Sequence, residues 1–147
     1  MSDPRVQAKV VKHLQTSKPK LVIGSPPCTL FSRLQQLNLH TQGPEWAKEF
    51  AKRKEKAAEH IRFCLRLFRL QRHRGDYFLF EHPESADSWD LPEVVDFLAS
   101  EGVMTSVIDQ CMYGLLTKGR SEGELLPAKK PTRFASNSWF ILEELRV

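Results

Sequence analysis

The chain has 147 residues, of which 41% are hydrophobic and 27% are charged, with a formal net charge of +4. This length and composition predict one globular domain, residues 1–147, that is large enough to form a hydrophobic core. No apolar run approaches the roughly 20 residues of a membrane-spanning helix, and the N-terminus lacks the apolar core of a signal peptide, so we expect an intracellular protein, in the cytoplasm or nucleus, with no membrane partner.

The segments alternate between helical and extended patterns. In chain order, we predict a helix over 5–16, a buried strand over 20–24, a polar loop over 25–43, a long helix from Pro44 to about His73, a second buried strand over 77–81, a helix over 91–100, a third strand over 103–108, an irregular basic segment over 114–133, and a fourth strand over 138–142. This order predicts an α/β fold with a mostly parallel sheet of about four strands and flanking helices.

Charge is distributed unevenly along the chain. Residues 1–75 contain 16 Lys and Arg against 5 Asp and Glu, whereas residues 76–147 contain 6 against 13. The basic half suits a polyanionic partner, although a solvated helix face explains the same excess. The cysteines Cys28, Cys64 and Cys111 are widely spaced and the histidines lack metal-ligand spacing, so we expect neither a disulfide framework nor a metal site.

Two of the predicted strands end in chemically reactive residues. The first runs into Pro26-Pro27-Cys28, and the second ends at Glu81. Ligands of open α/β sheets bind beyond the carboxyl ends of the strands, so neighbouring strands would bring a thiol and a carboxyl into one cleft. Consecutive prolines restrict the backbone and would hold Cys28 in a nearly fixed position, as a nucleophile requires. The alternatives are a small buried cysteine and a glutamate in an ion pair or helix cap.

These motifs resemble those of the S-adenosylmethionine-dependent DNA cytosine methyltransferases that modify carbon-5. Ser25-Pro26-Pro27-Cys28 with Phe31-Ser32 is similar to the Pro-Cys loop of that family, and Phe80-Glu81-His82-Pro83 is similar to its Glu-Asn-Val strand end. Tyr113-Gly114 and residues 127–133 resemble its Tyr-Gly-x-Pro-Gln-x-Arg-x-Arg segment, with an insertion at 115–126. In that segment Ala128 stands in place of the glutamine and Lys130 in place of the first arginine.

The resemblance implies a partial Rossmann-like methyltransferase fold and a set of catalytic residues. Cys28 would add to carbon-6 of a flipped cytosine, and Glu81, as a protonated carboxyl, would stabilise charge at ring nitrogen-3. Lys130 or Arg133 would supply a nearby cation, and the alternative for both is a phosphate contact or a solvated charge. His82 is interpreted as structural.

The resemblance also implies contacts to the cofactor and to DNA. Ser25, Pro26 and Pro27 would lie beside S-adenosylmethionine. The expected nucleic-acid contacts are polar residues after Cys28 and exposed cations, namely Arg33, Gln35, Gln36, Asn38, Arg66, Arg69 and Lys129. For the arginines of the long helix, a solvated face is the alternative.

Only the catalytic half of the family is represented. No Gly-rich turn that would bind S-adenosylmethionine precedes the Pro-Pro-Cys loop, and we find no counterpart of the family's target-recognition region. Without the neighbouring strand of the family, residues 20–24 would form an exposed sheet edge. We therefore expect a complementing polypeptide, a second copy or further N-terminal sequence to cover this edge.

Three functions are consistent with the sequence. The first is the catalytic half of a DNA cytosine carbon-5 methyltransferase, split or truncated, or a mobile-element or phage-type relative. The second is methylation of an exocyclic amine, but those enzymes have an aromatic residue where Cys28 stands. The third is a non-catalytic DNA-binding or regulatory relative, which the missing Gly-rich turn favours and the presence of both Cys28 and Glu81 disfavours.

Overall fold

The computed structural model describes residues 3–146, except for the side chains of residues 36, 37, 39 and 40. Its α-helices are α1 (Pro4–Ser17), α2 (Leu34–Thr41), α3 (Pro44–His73), α4 (Pro92–Leu98) and α5 (Trp139–Glu144). Its strands are β1 (Leu21–Gly24), β2 (Tyr77–Pro83), β3 (Met104–Asp109), β4 (Leu116–Lys118), β5 (Leu125–Pro127) and β6 (Pro131–Ser136). Single 3-10 turns cover Thr29–Phe31, Asp87–Asp90 and Gln110–Tyr113.

Four strands form one mixed sheet in the order β1-β2-β6-β3, and β4 and β5 form a separate hairpin. β1 and β2 are parallel, whereas β6 is antiparallel to both β2 and β3. The α/β fold with four strands and flanking helices is thus confirmed, but the mostly parallel sheet is wrong. The reason is β6, which begins in the segment predicted to be irregular and inserts antiparallel between β2 and β3.

The predicted strand over 138–142 is also wrong, because these residues begin the helix α5. The Ser138 side chain accepts a hydrogen bond from the Ile141 amide and so caps the helix. Just before it, the Asn137 side chain accepts from the Phe78 amide and donates to the Asp76 carbonyl. These contacts turn the chain away from the sheet. The predicted loop over 25–43 likewise contains a 3-10 turn and α2.

The core lies between α3 and one face of the sheet. The Phe68 ring of α3 stacks on Phe78 of β2, with ring centroids 4.8 Å apart, and Phe97 of α4 contacts both rings. Gly24 of β1 allows close packing, since a Cβ atom there would lie 2.5 Å from Cζ of Phe68. The helix α1 packs on α3 through Leu14, which contacts Phe63 and Leu67.

β1 is the edge strand on one side of the described sheet, as the sequence predicts. Its burial on both faces, however, was wrongly predicted, because Ile23 is 64% exposed and Leu21 is 38% exposed. These two side chains are in register with Tyr77 and Leu79, on the face that α3 does not cover. Among the described helices, none combines the length and apolarity needed to cross a membrane.

Candidate active site at the carboxyl edge of the sheet

The carboxyl ends of β1, β2 and β3 and the amino end of β6 meet at one edge of the sheet. The strand pairing places Gly24 beside Phe80, and at the next two pairs of strands Pro83 is opposite Thr132 and Asp109 is opposite Pro131. Consequently the Pro-Pro-Cys loop, Glu81 and the basic residues before β6 all emerge at this carboxyl edge. This is the part of an open α/β sheet where ligands bind.

Glu81 is hydrogen-bonded to the segment that carries Cys28. The Ser25 hydroxyl donates to Oε2 of Glu81, and Ser25 is the first residue after β1. Glu81 is half-buried and pairs with Phe134 of β6, so its side chain lies on the same face of the sheet as Phe134. The contact joins the carboxyl ends of two neighbouring strands through one polar interaction.

Cys28 lies between two buried residues of the same loop. The carbonyl of Cys28 accepts from the Phe31 amide at 2.9 Å and so closes the 3-10 turn Thr29–Phe31. Pro26 and Phe31 are buried, Pro27 is exposed and Cys28 is half-buried. The loop is therefore packed into the protein on both sides of the cysteine, whose own side chain retains access to solvent.

The other two cysteines have different environments. Cys64 is buried in α3, and this burial raises the pKa of its thiol to about 11. Cys111 is half-buried in the 3-10 turn that follows β3. All three are free thiols. Cys64 is therefore suited to a packing role, whereas Cys28 and Cys111 are the thiols that a reagent can reach.

His82 connects β2 to the Pro-Pro-Cys loop, a link that sequence reasoning missed. Its Nε2 lies 2.9 Å from the Pro26 carbonyl oxygen, and its Nδ1 lies 2.5 Å from Oγ of Ser88. Burial lowers the pKa of His82, which favours the neutral ring. The available sequence signal was the alternation along β2, which places His82 on the same buried face as Phe78 and Phe80.

The two cations predicted beside the thiol occupy different places. Arg133 pairs with His82 in the sheet, and its guanidinium carbon lies 5.2 Å from the centre of the Trp89 ring. Because neighbouring residues of a strand point to opposite faces, Arg133 and Glu81 lie on opposite faces of the sheet. Lys130 is exposed directly before β6, where its carbonyl accepts from the Gln110 amide. Arg133 is thus packed against the core, whereas Lys130 extends from the edge into solvent.

The predicted nucleic-acid contacts divide into two groups. Near Cys28, Arg33 is exposed, the Gln35 side chain donates to the Thr29 carbonyl, and the Asn38 side chain donates to that of Gln35. The side chain of Gln36 is outside the described part of the chain. Lys129, also at this edge, forms a 3.7 Å ion pair with Asp109.

Arg66 and Arg69 are not brought to this edge. Both are exposed on the second half of α3, and the Arg69 guanidinium lies over the Phe97 ring of α4. The helix ends at His73, immediately before the amino end of β2. These arginines therefore lie toward the opposite edge of the sheet from Cys28.

A hairpin and a cavity border the site on the side of β3. The hairpin of β4 and β5 is joined at its base by a hydrogen bond from the Ala128 amide to the Leu115 carbonyl. A cavity of about 480 Å³ is lined by Ile108, Gln110, Tyr113, Gly114, Leu115, Phe134 and Leu145. Since Phe134 is the strand partner of Glu81, the cavity is on the face of the sheet that also carries the Glu81 side chain. It is mainly apolar, with Gln110 and Tyr113 as its polar side chains.

The chemistry available at this edge is that of a thiol and a carboxyl on adjoining segments. A thiolate can add to an electrophilic carbon, and a carboxyl can exchange a proton with the resulting adduct. No cluster of three or more His, Cys, Asp or Glu suited to hold a metal ion is found in the described residues. Comparisons with protein-family models, with curated proteins and with solved structures found no match to this chain.

Proposed function

We propose that this chain is the catalytic half of an S-adenosylmethionine-dependent DNA cytosine carbon-5 methyltransferase, with Cys28 as nucleophile and Glu81 as proton donor. One observation carries the proposal: β1 and β2 are parallel neighbours, and Ser25 of the Cys28 loop is hydrogen-bonded to Glu81. The loop that bears the Cys28 thiol therefore adjoins the Glu81 carboxyl. The strand pairing and the hydrogen bond support the proximity of the Cys28 loop and Glu81 without reference to the motif resemblance.

The proposed step at the base is a conjugate addition. A bond forms between Sγ of Cys28, as the thiolate, and carbon-6 of a flipped cytosine. The electron pair of the carbon-5 to carbon-6 double bond forms a carbon-4 to carbon-5 double bond, and the pair of the carbon-4 to nitrogen-3 double bond moves to ring nitrogen-3. Glu81 gives its proton to nitrogen-3, which leaves carbon-5 nucleophilic. Return of the proton to Glu81 and expulsion of the thiolate reverse the step.

The residues of this chain do not by themselves fit a complete site for S-adenosylmethionine. The polar groups of the predicted contact are engaged within the chain, because the Ser25 hydroxyl binds Glu81 and the Pro26 carbonyl binds His82. In addition, residues 3–24 contain no Gly-rich turn of the kind that would bind S-adenosylmethionine. We therefore assign to this chain the chemistry at the base and to a complementing polypeptide the cofactor site.

The proposed partners follow from the same division of labour. The substrate is DNA, which would place the activity inside the cell. The complementing polypeptide, or a second copy, pairs with the edge strand β1, where Leu21, Ile23 and Tyr77 expose an apolar surface on the open face of the sheet. Light scattering on mixtures of the chain with candidate partners tests this, and an Ile23→Lys variant is expected to abolish the complex.

Solvent exchange at carbon-5 tests the addition step without the cofactor. We expect the protein, incubated in D2O with cytosine-containing DNA, to replace the carbon-5 hydrogen by deuterium, because the adduct takes up a deuteron before it eliminates. Cys28→Ser and Glu81→Gln should both lose the exchange, measured by mass spectrometry of the nucleosides. Cys111→Ser, which removes the other half-buried thiol, should retain it. Exchange that survives Cys28→Ser contradicts the proposal.

A non-catalytic DNA-binding relative is the second candidate. The engagement of Ser25 and Pro26 within the chain favours it, since these groups are then not free for a cofactor. The two functions differ in one result. DNA binding by electrophoretic mobility shift together with no carbon-5 exchange, with or without candidate partners and S-adenosylmethionine, supports the second and rejects the first.

A further inference from the structure

We propose that His82 is the positioning residue of Cys28, which it holds by fixing the Pro-Pro-Cys loop on both sides of the cysteine. The link to catalysis rests on the proposed function, but the link between His82 and the thiol does not. His82 is fully buried, and the groups that it contacts belong either to the Pro-Pro-Cys loop or to side chains packed around that loop.

The first contact fixes the loop before the cysteine. A carbonyl oxygen can only accept a hydrogen bond, so Nε2 of His82 carries the proton that is donated to Pro26. In the neutral ring Nδ1 is then an acceptor, and the buried Ser88 hydroxyl is placed to donate to it. The Pro26 carbonyl therefore fixes the tautomer, and the Ser88 hydroxyl, which can donate or accept, rotates to satisfy Nδ1 in that tautomer and holds the ring in place.

The second contact fixes the loop after the cysteine. The rings of Phe31 and His82 meet edge to face, with their centroids 6.0 Å apart. Phe31 is fully buried, and its amide is bound to the Cys28 carbonyl. Phe80 and Trp89 pack on other sides of the imidazole, with ring centroids 5.9 and 6.3 Å away, so the ring has little room to rotate.

The backbone between the two contacts is short and stiff. Pro26 and Pro27 have fixed φ angles, and Cys28 follows them directly. A displacement of the Pro26 carbonyl is therefore transmitted to the thiol almost undiminished. Without a donor at position 82, the buried Pro26 carbonyl would lack a hydrogen bond, which costs free energy. We expect the loop to move outward, so that water can donate to this carbonyl.

The test compares two substitutions of His82 through the reactivity of three thiols. His82→Phe keeps a ring but removes both hydrogen bonds, whereas His82→Gln offers a donor to Pro26 and an acceptor to Ser88. We expect His82→Phe to raise the iodoacetamide alkylation rate of Cys28 several-fold relative to Cys111, measured by peptide mass spectrometry. Cys64 should stay protected, which excludes unfolding. His82→Gln should bring the ratio back toward that of the wild type.

A matched control separates positioning from general stability. Phe78→Leu removes a buried ring from the same face of β2, four residues away, and should leave the Cys28 rate unchanged. Should His82→Phe fail to fold, Ser88→Ala removes the partner of Nδ1 alone and should produce a smaller rise. The proposal is overturned if neither His82→Phe nor Ser88→Ala changes the alkylation rate of Cys28 relative to Cys111. It is also overturned if Phe78→Leu changes this rate as much as His82→Phe does.

Carbon-5 exchange then separates this proposal from the proposed function. Where the wild type exchanges, His82→Phe should lower the rate at least about tenfold, within the range that a misplacement of about 1 Å costs. Altered alkylation in a protein whose wild type shows no exchange, with or without candidate partners and S-adenosylmethionine, would leave the positioning role and reject the methyltransferase. Exchange at the wild-type rate in His82→Phe would reject positioning alone.

Discussion

Two segments leave the carboxyl edge of the sheet, and they are held in different ways. The segment 25–31 is packed into the protein, with Pro26 and Phe31 buried around His82. The segment 114–130 projects as a hairpin in which every strand residue is exposed and most contacts are within the hairpin, such as the hydrogen bond from the Gly119 amide to the Glu124 carbonyl. The Cys28 thiol is on the anchored segment, and exposed cations are on the projecting one.

This difference predicts where substitutions have global effects. In the anchored segment each buried group is tied to β2 and α3, so a local change is felt by the core. In the hairpin a side chain faces water on most sides, so its removal changes little except what the surface can bind. Substitutions in the two segments test this contrast, and their expected effects decrease in the order given.

Phe31→Ala should have the largest effect. Truncation of a fully buried phenylalanine costs about 3–5 kcal/mol of the free energy of unfolding, since it leaves a cavity beside His82. The hairpin counterpart is Leu125→Ala, which truncates a side chain that is 60% exposed and should stay within about 0.5 kcal/mol of the wild type. Urea denaturation measures both. Equal destabilisation would mean that the hairpin is as well packed as the loop.

Gly24→Ala should have the next largest effect, because Gly24 leads β1 into the anchored segment. The new Cβ would lie 2.5 Å from Cζ of Phe68, a buried ring held between α3 and β2. We expect a destabilisation of about 1–3 kcal/mol, typical of overpacking in a core. Gly43→Ala is the control, since nothing lies within 4 Å of a Cβ there. A Gly24→Ala variant as stable as this control would show that Phe68 can shift at no cost.

The sequence was sufficient for the elements defined by local signals. The bounds of α3 agree with the prediction, because Pro44 favours the first turn and Gly75 follows the last. β6 was missed because its sequence, PTRFAS, lacks apolar alternation, and its buried Ser136 and Thr132 depend in part on distant partners, the Phe78 carbonyl and the Gln110 side chain. α5 was missed because a short apolar run does not distinguish strand from helix.

The candidate site was predictable in its residues but not in its connections. Adjacent strand ends placed the Cys28 loop near Glu81, and the parallel pairing of β1 and β2 agrees with that expectation. The contact between His82 and Pro26 joins residues 56 positions apart, and no local pattern announces it. Arg133 was assigned a place beside the thiol, yet its position in the strand turns it toward Trp89.

The pH dependence of stability should reveal the buried His82. Because burial lowers its pKa in the folded protein, the unfolded chain binds more protons once the pH falls below about 6.5. The free energy of unfolding should therefore decrease as the pH falls from about 7 to the lowered pKa. This pH dependence should be weaker in the His82→Gln variant. Part of the slope should remain through His60, whose pKa burial also lowers.

The groups that act on this imidazole fix the sign of the effect. The charge of Glu81 and the Pro26 carbonyl both raise the pKa, but they do not outweigh burial. Arg133, opposite His82 in the sheet, and Asp87, next to Ser88 and paired with Lys54, are further charged groups on the elements around this ring. Urea denaturation at about pH 7.5 and pH 5.5 measures the difference. An unchanged slope in His82→Gln would show that His82 binds a proton while keeping its contacts.

The smallest effect is expected from the charges of the hairpin. On the proposed function, the exposed Lys118 and Arg120 contact DNA phosphates, so Lys118→Gln with Arg120→Gln should weaken binding modestly and leave stability unchanged. For each phosphate interaction that the substitutions remove, the slope of log affinity against log salt concentration should become shallower by about 0.9. The control is Lys12→Gln, on α1, whose last turn lies near Arg74 at the opposite edge of the sheet. If Lys12→Gln changed the salt dependence of DNA binding as much as the hairpin pair did, the basic half of the chain would bind DNA through its overall charge. That result would contradict DNA binding at the carboxyl edge of the sheet.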